Sequence, residues 1–364
     1  MNDLMNLWEY AIAFVIAFTV ALLTNPLIIR YAGKFGFVDK PEERKVHLKS
    51  MPRVGGLSII LGTIAGCIYL QVDSAYLPQI GIGAAMIIIM GLLDDRFTLN
   101  AKLKFLIQLI AAVVVVTSGL TIEFIEIPLI GRIEMGFLSS VMAVLWIIGV
   151  MNSINLIDGL DGLAGGVATI AISTILVMAI IDPLAHVAVI SIAVVLIAST
   201  LAFLIFNFHP AKLFMGDTGS LFLGYSIAII SLMGFFKSVT LFSLIAPVLI
   251  LAVPIFDTLF AIVRRFLNKQ GIMSPDKGHL HHCLLAMGFS HRATVLIIYT
   301  IGIFFGASAL LFSNVTLWNS VVIFVFLLLL IQLSAEVVGL IGAKRQPLLN
   351  MMRRCTGGSQ EIKK

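Results

Sequence analysis

Charged side chains are scarce in this sequence of 364 residues: Asp, Glu, Lys and Arg together make up 12%, about half their usual share in a soluble domain. That excludes a soluble globular protein, a disordered chain and a long coiled coil. Cysteine is scarcer still. Cys67, Cys283 and Cys355 show neither paired nor metal-type spacing, so no disulfide framework is implied. Internal repeats and low-complexity segments are also lacking, which weighs against an inverted-repeat transporter. What the sequence has is apolar surface, with 60% hydrophobic residues. At about 20 residues per span, that supplies ten or eleven transmembrane helices. Little chain is left for a separate soluble domain, so one transmembrane domain over residues 1–364 is expected, with its chemistry in loops and helix ends.

Eleven apolar segments stand out: 8–29, 54–70, 78–93, 104–118, 136–152, 163–181, 185–206, 216–235, 241–263, 293–312 and 318–342. The first has no small-residue cleavage site and is read as a span, not a signal peptide. The loops alternate in charge. One side holds 30–53, 94–104, 153–162, 207–215, 264–292 and the basic tail 343–364, with 22 Lys and Arg; the other holds only Arg132 and Lys237. Basic short loops mark the cytoplasmic side. The fold expected is an all-α polytopic membrane protein of about eleven helices, N-terminus outside and C-terminus cytoplasmic.

The clustered polar residues fall on that same side. Asp94-Asp95 ends the third segment, either as a stop-transfer or snorkelling end or as a metal, base or nucleophile site, since adjacent carboxylates at a membrane boundary recruit a cation or raise one pKa. Lys102 and Lys104 follow, suited to phosphate. Asn152, Asn155, Asp158 and Asp161 lie three apart in a glycine-rich run, and such neighbours share a face where the segment is helical. Carboxamides and carboxylates of this kind suit hydrated Mg²⁺ and a nucleotide. The block Asn207 to Ser220 contains His209-Pro210, Phe214, which can stack on a base or simply pack, and Asp217, placed to cap a helix or bind a ligand. Three histidines, His279, His281 and His282, suggest zinc or anion binding; with no matching Cys/His pair elsewhere, His279 and His281 are read as donors to phosphate oxygens. Lys49 and Arg53 belong to a basic run that ends in Gly55-Gly56, either a positive-inside loop or a phosphate contact. Asp257, well inside a span, serves function or bonds a neighbouring helix.

Together these blocks resemble the polyprenyl-phosphate N-acetylhexosamine-1-phosphate transferase family (glycosyltransferase family 4) over about residues 8–300, and look closest to its WecA/TagO-like branch. The resemblance rests on Asp94-Asp95, the Asn-x-x-Asn-x-x-Asp-Gly-x-Asp-Gly run at 152–162, the Asn207…Phe-Met-Gly-Asp217-Thr-Gly-Ser block and His-Leu-His-His at 279–282. It implies transfer of GlcNAc-1-phosphate from UDP-GlcNAc to undecaprenyl phosphate, with Mg²⁺ (or Mn²⁺ in its place), at the cytoplasmic face of a bacterial plasma membrane. The product would start a cell-envelope polymer such as wall teichoic acid. By position it implies Asn155 and Asp217 as metal ligands, Asp94 as base with Asp95 beside it, and a catalytic part for Asp217. Asn152, Asp158, Asp161, Asn207 and Phe214 would form the nucleotide pocket. Lys49, Arg53, Lys102, Lys104, His279, His281 and His282 would face phosphates or substrate. Some relatives carry Asp-Asp-x-x-Asp, where Thr98 stands here. The partners implied are both substrates and membrane lipid, with no nucleic acid; a homodimer stays open. The competing readings are a sister transferase of phospho-MurNAc-pentapeptide and a secondary transporter.

Overall fold

The computed structural model describes residues 7–39, 51–122, 124–127, 131–182, 187–235, 241–271, 276, 278–312 and 317–340. Thirteen helices are described: α1 Leu7–Phe35, α2 Gly56–Tyr69, α3 Leu77–Phe97, α4 Ala101–Val116, α5 Phe137–Ile157, α6 Leu163–Ile181, α7 Val187–Asn207, α8 Gly216–Phe235, α9 Leu241–Ile250, α10 Ala252–Leu267, α11 Leu280–Ala286, α12 His291–Phe312 and α13 Leu317–Val338. Two small antiparallel ladders accompany them. Val38–Asp39 (β1) pairs with Met51–Pro52 (β2), and Phe124–Ile127 (β3) pairs with Gly131–Glu134 (β4). The sequence pattern gives no sign of either ladder. Among the described residues, each of the eleven apolar segments is mainly helical, and eight helices are long and apolar enough to cross a membrane.

Two boundaries differ from expectation. The segment 8–29 runs on through Pro26 to Phe35. The segment 241–263 is not one helix but α9 and α10, broken at Leu251. Pro254 explains the break: it lacks the N–H that would reach the carbonyl of Ile250, and its ring crowds that carbonyl. Leu251 N–H still bonds Pro247 O at 3.1 Å, closing α9, and Ile255 N–H bonds Leu251 O at 3.0 Å, opening α10.

α8 is the axis of the bundle. Its apolar window is wholly buried, against 22% for α1, and it packs on α2, α3, α5 and α6. The sequence permits this because α8 is rich in glycine and serine. A Cβ added at Gly56 of α2 would lie 2.2 Å from the Gly219 backbone, so the two helices cross almost backbone to backbone. In lipid, where apolar burial drives little association, such small-residue contact holds helices together. Side-chain hydrogen bonds supplement it: Trp146 Nε1 donates to Ser231 Oγ at 2.9 Å, and Tyr225 OH to Ile80 O at 2.7 Å. On α1, Ala13, Ala17, Ala21 and Asn25 form a buried stripe at four-residue spacing, and Asn25 Nδ2 bonds Ala202 O of α7.

A candidate active site at one end of the bundle

Connectivity brings the polar motifs to one end. α3 arrives there at Asp94-Asp95 and α4 leaves at Ala101; α5 arrives at Asn155 and α6 leaves at Leu163; α7 arrives at Asn207 and α8 leaves at Gly216. α4, at 1.5 Å per residue, carries the β3–β4 ladder about 24 Å away.

Asp95 organises the start of α8. Its Oδ1 accepts the N–H of Asp217 at 2.8 Å, and its Oδ2 accepts Thr218 N–H at 3.0 Å and Thr218 Oγ1 at 2.6 Å. The first-turn amides of a helix have no partner in the helix itself, and here a carboxylate from α3 supplies it. Asp217 is therefore not the cap of α8, as its place in the sequence allows; it lies in the first turn, and Asp95 is the cap. Gly216 makes this turn possible. Its φ is +72°, and a Cβ there would collide with Arg53 O and the Asp95 carboxylate.

Freed from capping, Asp217 turns its carboxylate into the site. Lys104 Nζ bridges Asp217 Oδ2 at 2.7 Å and Asp94 Oδ2 at 3.0 Å, and Arg53 lies 3.4 Å from Asp217 Oδ1 and 3.6 Å from Asp95 Oδ1. Asp94 Oδ1 accepts Leu99 N–H at 2.7 Å, fixing the α3–α4 turn where Thr98 adopts φ 53°. Arg53 is held from behind: the stretch before α2 pairs with the stretch before α8 through Phe214 N–H to Pro52 O, Gly55 N–H to Phe214 O and Gly56 N–H to Met215 O. Asn155 Nδ2 donates to Ser220 Oγ at 2.8 Å, one turn along α8 from Asp217. Asn155 and Asp217 both offer oxygen donors, the kind of group that fits a hard divalent cation.

Around this centre the remaining motif residues take distinct places. Asn152 Nδ2 bonds Gln108 Oε1 at 2.7 Å, a buried α4 residue the sequence does not single out. Burial, then the charges of Asp217, Asp95 and Asp161 against that of Arg53, push the Asp158 carboxyl up to about 7. Asp161 Oδ2 pairs with His209 Nδ1 at 2.8 Å and accepts Ala211 N–H at 3.1 Å. His209 in turn stacks on His291, centroids 4.2 Å apart and planes 21° apart. Asn207 is buried, its Oδ1 accepting Gly162 N–H and its Nδ2 donating to Leu213 O, so it ties α6 to the chain leading into α8. Tyr299 OH, from α12, donates to Gly162 O. Phe214 is half-buried and Lys102 exposed, on a different face of α4 from Lys104. Lys49 lies outside the described residues.

The histidine loop reaches the same end. A Cβ on Gly159 would lie 2.4 Å from His281 Nε2, so α11 rests on the turn beside Asp158. His281 is buried, its Nδ1 has no hydrogen-bond partner among the described residues, and burial followed by the neighbouring His282 depresses its pKa to about 4. It is a neutral ring at neutral pH, with a single N–H to offer. His282 is exposed. Asp276 anchors the loop: burial pushes its carboxyl up, but Arg264, with Nε at 3.1 Å, and Gly278 N–H hold it below its usual range.

Comparison with known proteins places this arrangement. The sequence profile of Glycosyl transferase family 4 matches residues 77–235, the stretch that carries Asp94, Asn155 and Asp217. A Bacillus subtilis (strain 168) protein named probable undecaprenyl-phosphate N-acetylglucosaminyl 1-phosphate transferase is 51% identical over 95% of this chain and 98% of its own length. A decaprenyl-phosphate N-acetylglucosaminephosphotransferase of Mycobacterium tuberculosis is 36% identical over 84% of the chain and 83% of its own. The Escherichia coli (strain K12) undecaprenyl-phosphate alpha-N-acetylglucosaminyl 1-phosphate transferase is 27% identical over 81% of each. With identity sustained along nearly the whole chain, and the carboxylate centre inside the matched stretch, this polytopic membrane protein belongs to glycosyl transferase family 4.

Proposed function

We propose that the protein transfers GlcNAc-1-phosphate from UDP-GlcNAc to undecaprenyl phosphate, releasing UMP, at the cytoplasmic face of a bacterial plasma membrane. The product is the lipid-linked start of an envelope polymer. The observation that carries the reading is the Asp94–Lys104–Asp217 bridge at the capped N-terminus of α8. It gathers carboxylates and cations at helix ends, where a lipid phosphate and a water-soluble nucleotide can meet. Acceptor and sugar class follow the names of the relatives.

An oxygen of the lipid phosphate attacks the sugar-bearing phosphorus. One P–O bond forms, the bond between the two phosphates of the nucleotide sugar breaks, and UMP leaves with the bridging oxygen. Such a transfer needs positioning and charge neutralisation more than covalent help. Asp94, steered by Lys104 and Leu99 N–H, accepts the proton of a protonated lipid phosphate. Lys104 and Arg53 neutralise the diphosphate. Asp217 and Asn155 would hold Mg²⁺, which supplies further neutralisation of the diphosphate when bound. Asp95 keeps Asp217 in place through the α8 cap.

The test is release of UMP by purified protein given undecaprenyl phosphate, Mg²⁺ and one UDP-sugar at a time. UMP with UDP-GlcNAc supports the reading; UMP only with UDP-MurNAc-pentapeptide overturns it.

A further inference from the structure

Asp257 of α10 is a carboxylate within an apolar helix, 5% exposed, and the transfer step above does not use it. Both of its oxygens are engaged by the histidine loop. Oδ2 lies 2.9 Å from His279 Nδ1, and Oδ1 accepts Leu280 N–H at 2.7 Å. His279 is itself 5% exposed and immediately precedes α11. An ionised carboxylate only accepts, so this pairing puts the proton on His279 Nδ1. It thereby fixes the tautomer and the rotation of the ring. Nε2 then lies on the ring edge away from Asp257. It presents a lone pair when the ring is neutral and a second N–H when the ring is protonated. The His279 ring is parallel to that of His281, 8° between planes and 6.0 Å between centroids, and His281 rests on Gly159 beside Asp158. The ring aimed by Asp257 thus lies beside the loop ring that meets the turn next to Asp158.

We propose that Asp257 is a positioning residue: by accepting Nδ1–H of His279 it turns Nε2 to the diphosphate of a nucleoside-diphosphate sugar, where the ring, with a proton on both nitrogens, donates Nε2–H to a phosphate oxygen. This rests on the donor reading given above. It explains why a carboxylate is kept inside an apolar helix, and why the break at Leu251 matters, since α10 begins anew there and carries Asp257 to the loop. Asp257→Asn keeps an acceptor for Leu280 N–H. Its amide N–H₂ would face His279 Nδ1 as a donor, so the ring could not carry protons on both nitrogens, and Nε2–H would lose its charge.

The experiment measures binding of uridine, UMP and UDP, with Mg²⁺, to detergent-purified wild type, Asp257→Asn, His279→Gln and the double variant. The expected result is about a tenfold loss of UDP affinity in Asp257→Asn, the scale of one charge-assisted hydrogen bond, with uridine affinity held within about twofold. In the His279→Gln background, Asp257→Asn should cost nothing more. Three results would overturn the proposal: UDP affinity at the wild-type level in Asp257→Asn, equal losses for uridine and UDP, or a full additional loss in the double variant. Should Asp257→Asn fail to fold, ¹⁵N-histidine spectra of the wild type decide, with His279→Gln locating the His279 signals. Nδ1 must be protonated, and Nε2 must shift with UDP but not with uridine; an Nε2–H tautomer that ignores UDP contradicts the proposal. Wild-type UMP release is scored separately. Its absence would remove the transfer reading while the UDP and uridine comparison still judged the dyad.

Discussion

Adjacent carboxylates Asp94 and Asp95 look alike in sequence but do different work. Asp95 spends both oxygens on the first turn of α8, whereas Asp94 shares Lys104 with Asp217. Substitution should separate them. Asp95→Asn loses acceptor capacity at the cap and is expected to lower thermal stability, on the scale of about 1 kcal/mol for a lost cap. Asp94→Asn should keep its melting temperature and slow UMP release by about 10²-fold or more, the range for removing a general base; full-rate turnover would end that role. Asp217→Ala is expected to cost about 10³-fold at any Mg²⁺ concentration. Asp158 offers a test by pH. A carboxyl raised in the fold loses stability as pH climbs from its unfolded value, about 4, to about 7. Asp158→Asn should therefore leave the melting temperature unchanged near pH 4 and raise it increasingly towards pH 8. A difference that shrinks with pH would have the wrong sign.

At the scale of elements, hydropathy alone locates the long helices, since long apolar runs in a chain this poor in charge have few alternatives, but it passes over the short α11. The break between α9 and α10 was less visible, because the run stays apolar through Leu251 and only Pro254 signals it. The ladders β1–β2 and β3–β4 have no alternation to betray them. Motif residues were legible as a set, yet their division of labour was not. Spacing cannot tell that Asn207 braces backbone on two sides, that Gln108 receives Asn152, or that Asp257 reaches across to His279, because each pairing joins residues distant in sequence. The glycine contact between α2 and α8 carries a prediction of its own. Gly219→Val should displace the start of α8, abolishing UMP release together with folded yield, whereas Val at Gly81, with open space around it, should leave both near wild type. Tolerance at Gly219 would mean that close packing there is dispensable.

Across the whole molecule, the helices deliver Arg53, Asp94, Lys104, Asn155 and Asp217 to a single end, as alternating traverses of a membrane require. The proposed reading puts that end in the cytoplasm, where a water-soluble nucleotide donor would reach it. Membrane sidedness is therefore the most direct test. UDP-GlcNAc would be supplied outside sealed vesicles that contain undecaprenyl phosphate, with UMP release measured in both orientations. Inside-out vesicles should release UMP at once, and right-side-out vesicles only after permeabilisation. Equal release from intact right-side-out vesicles would contradict the account.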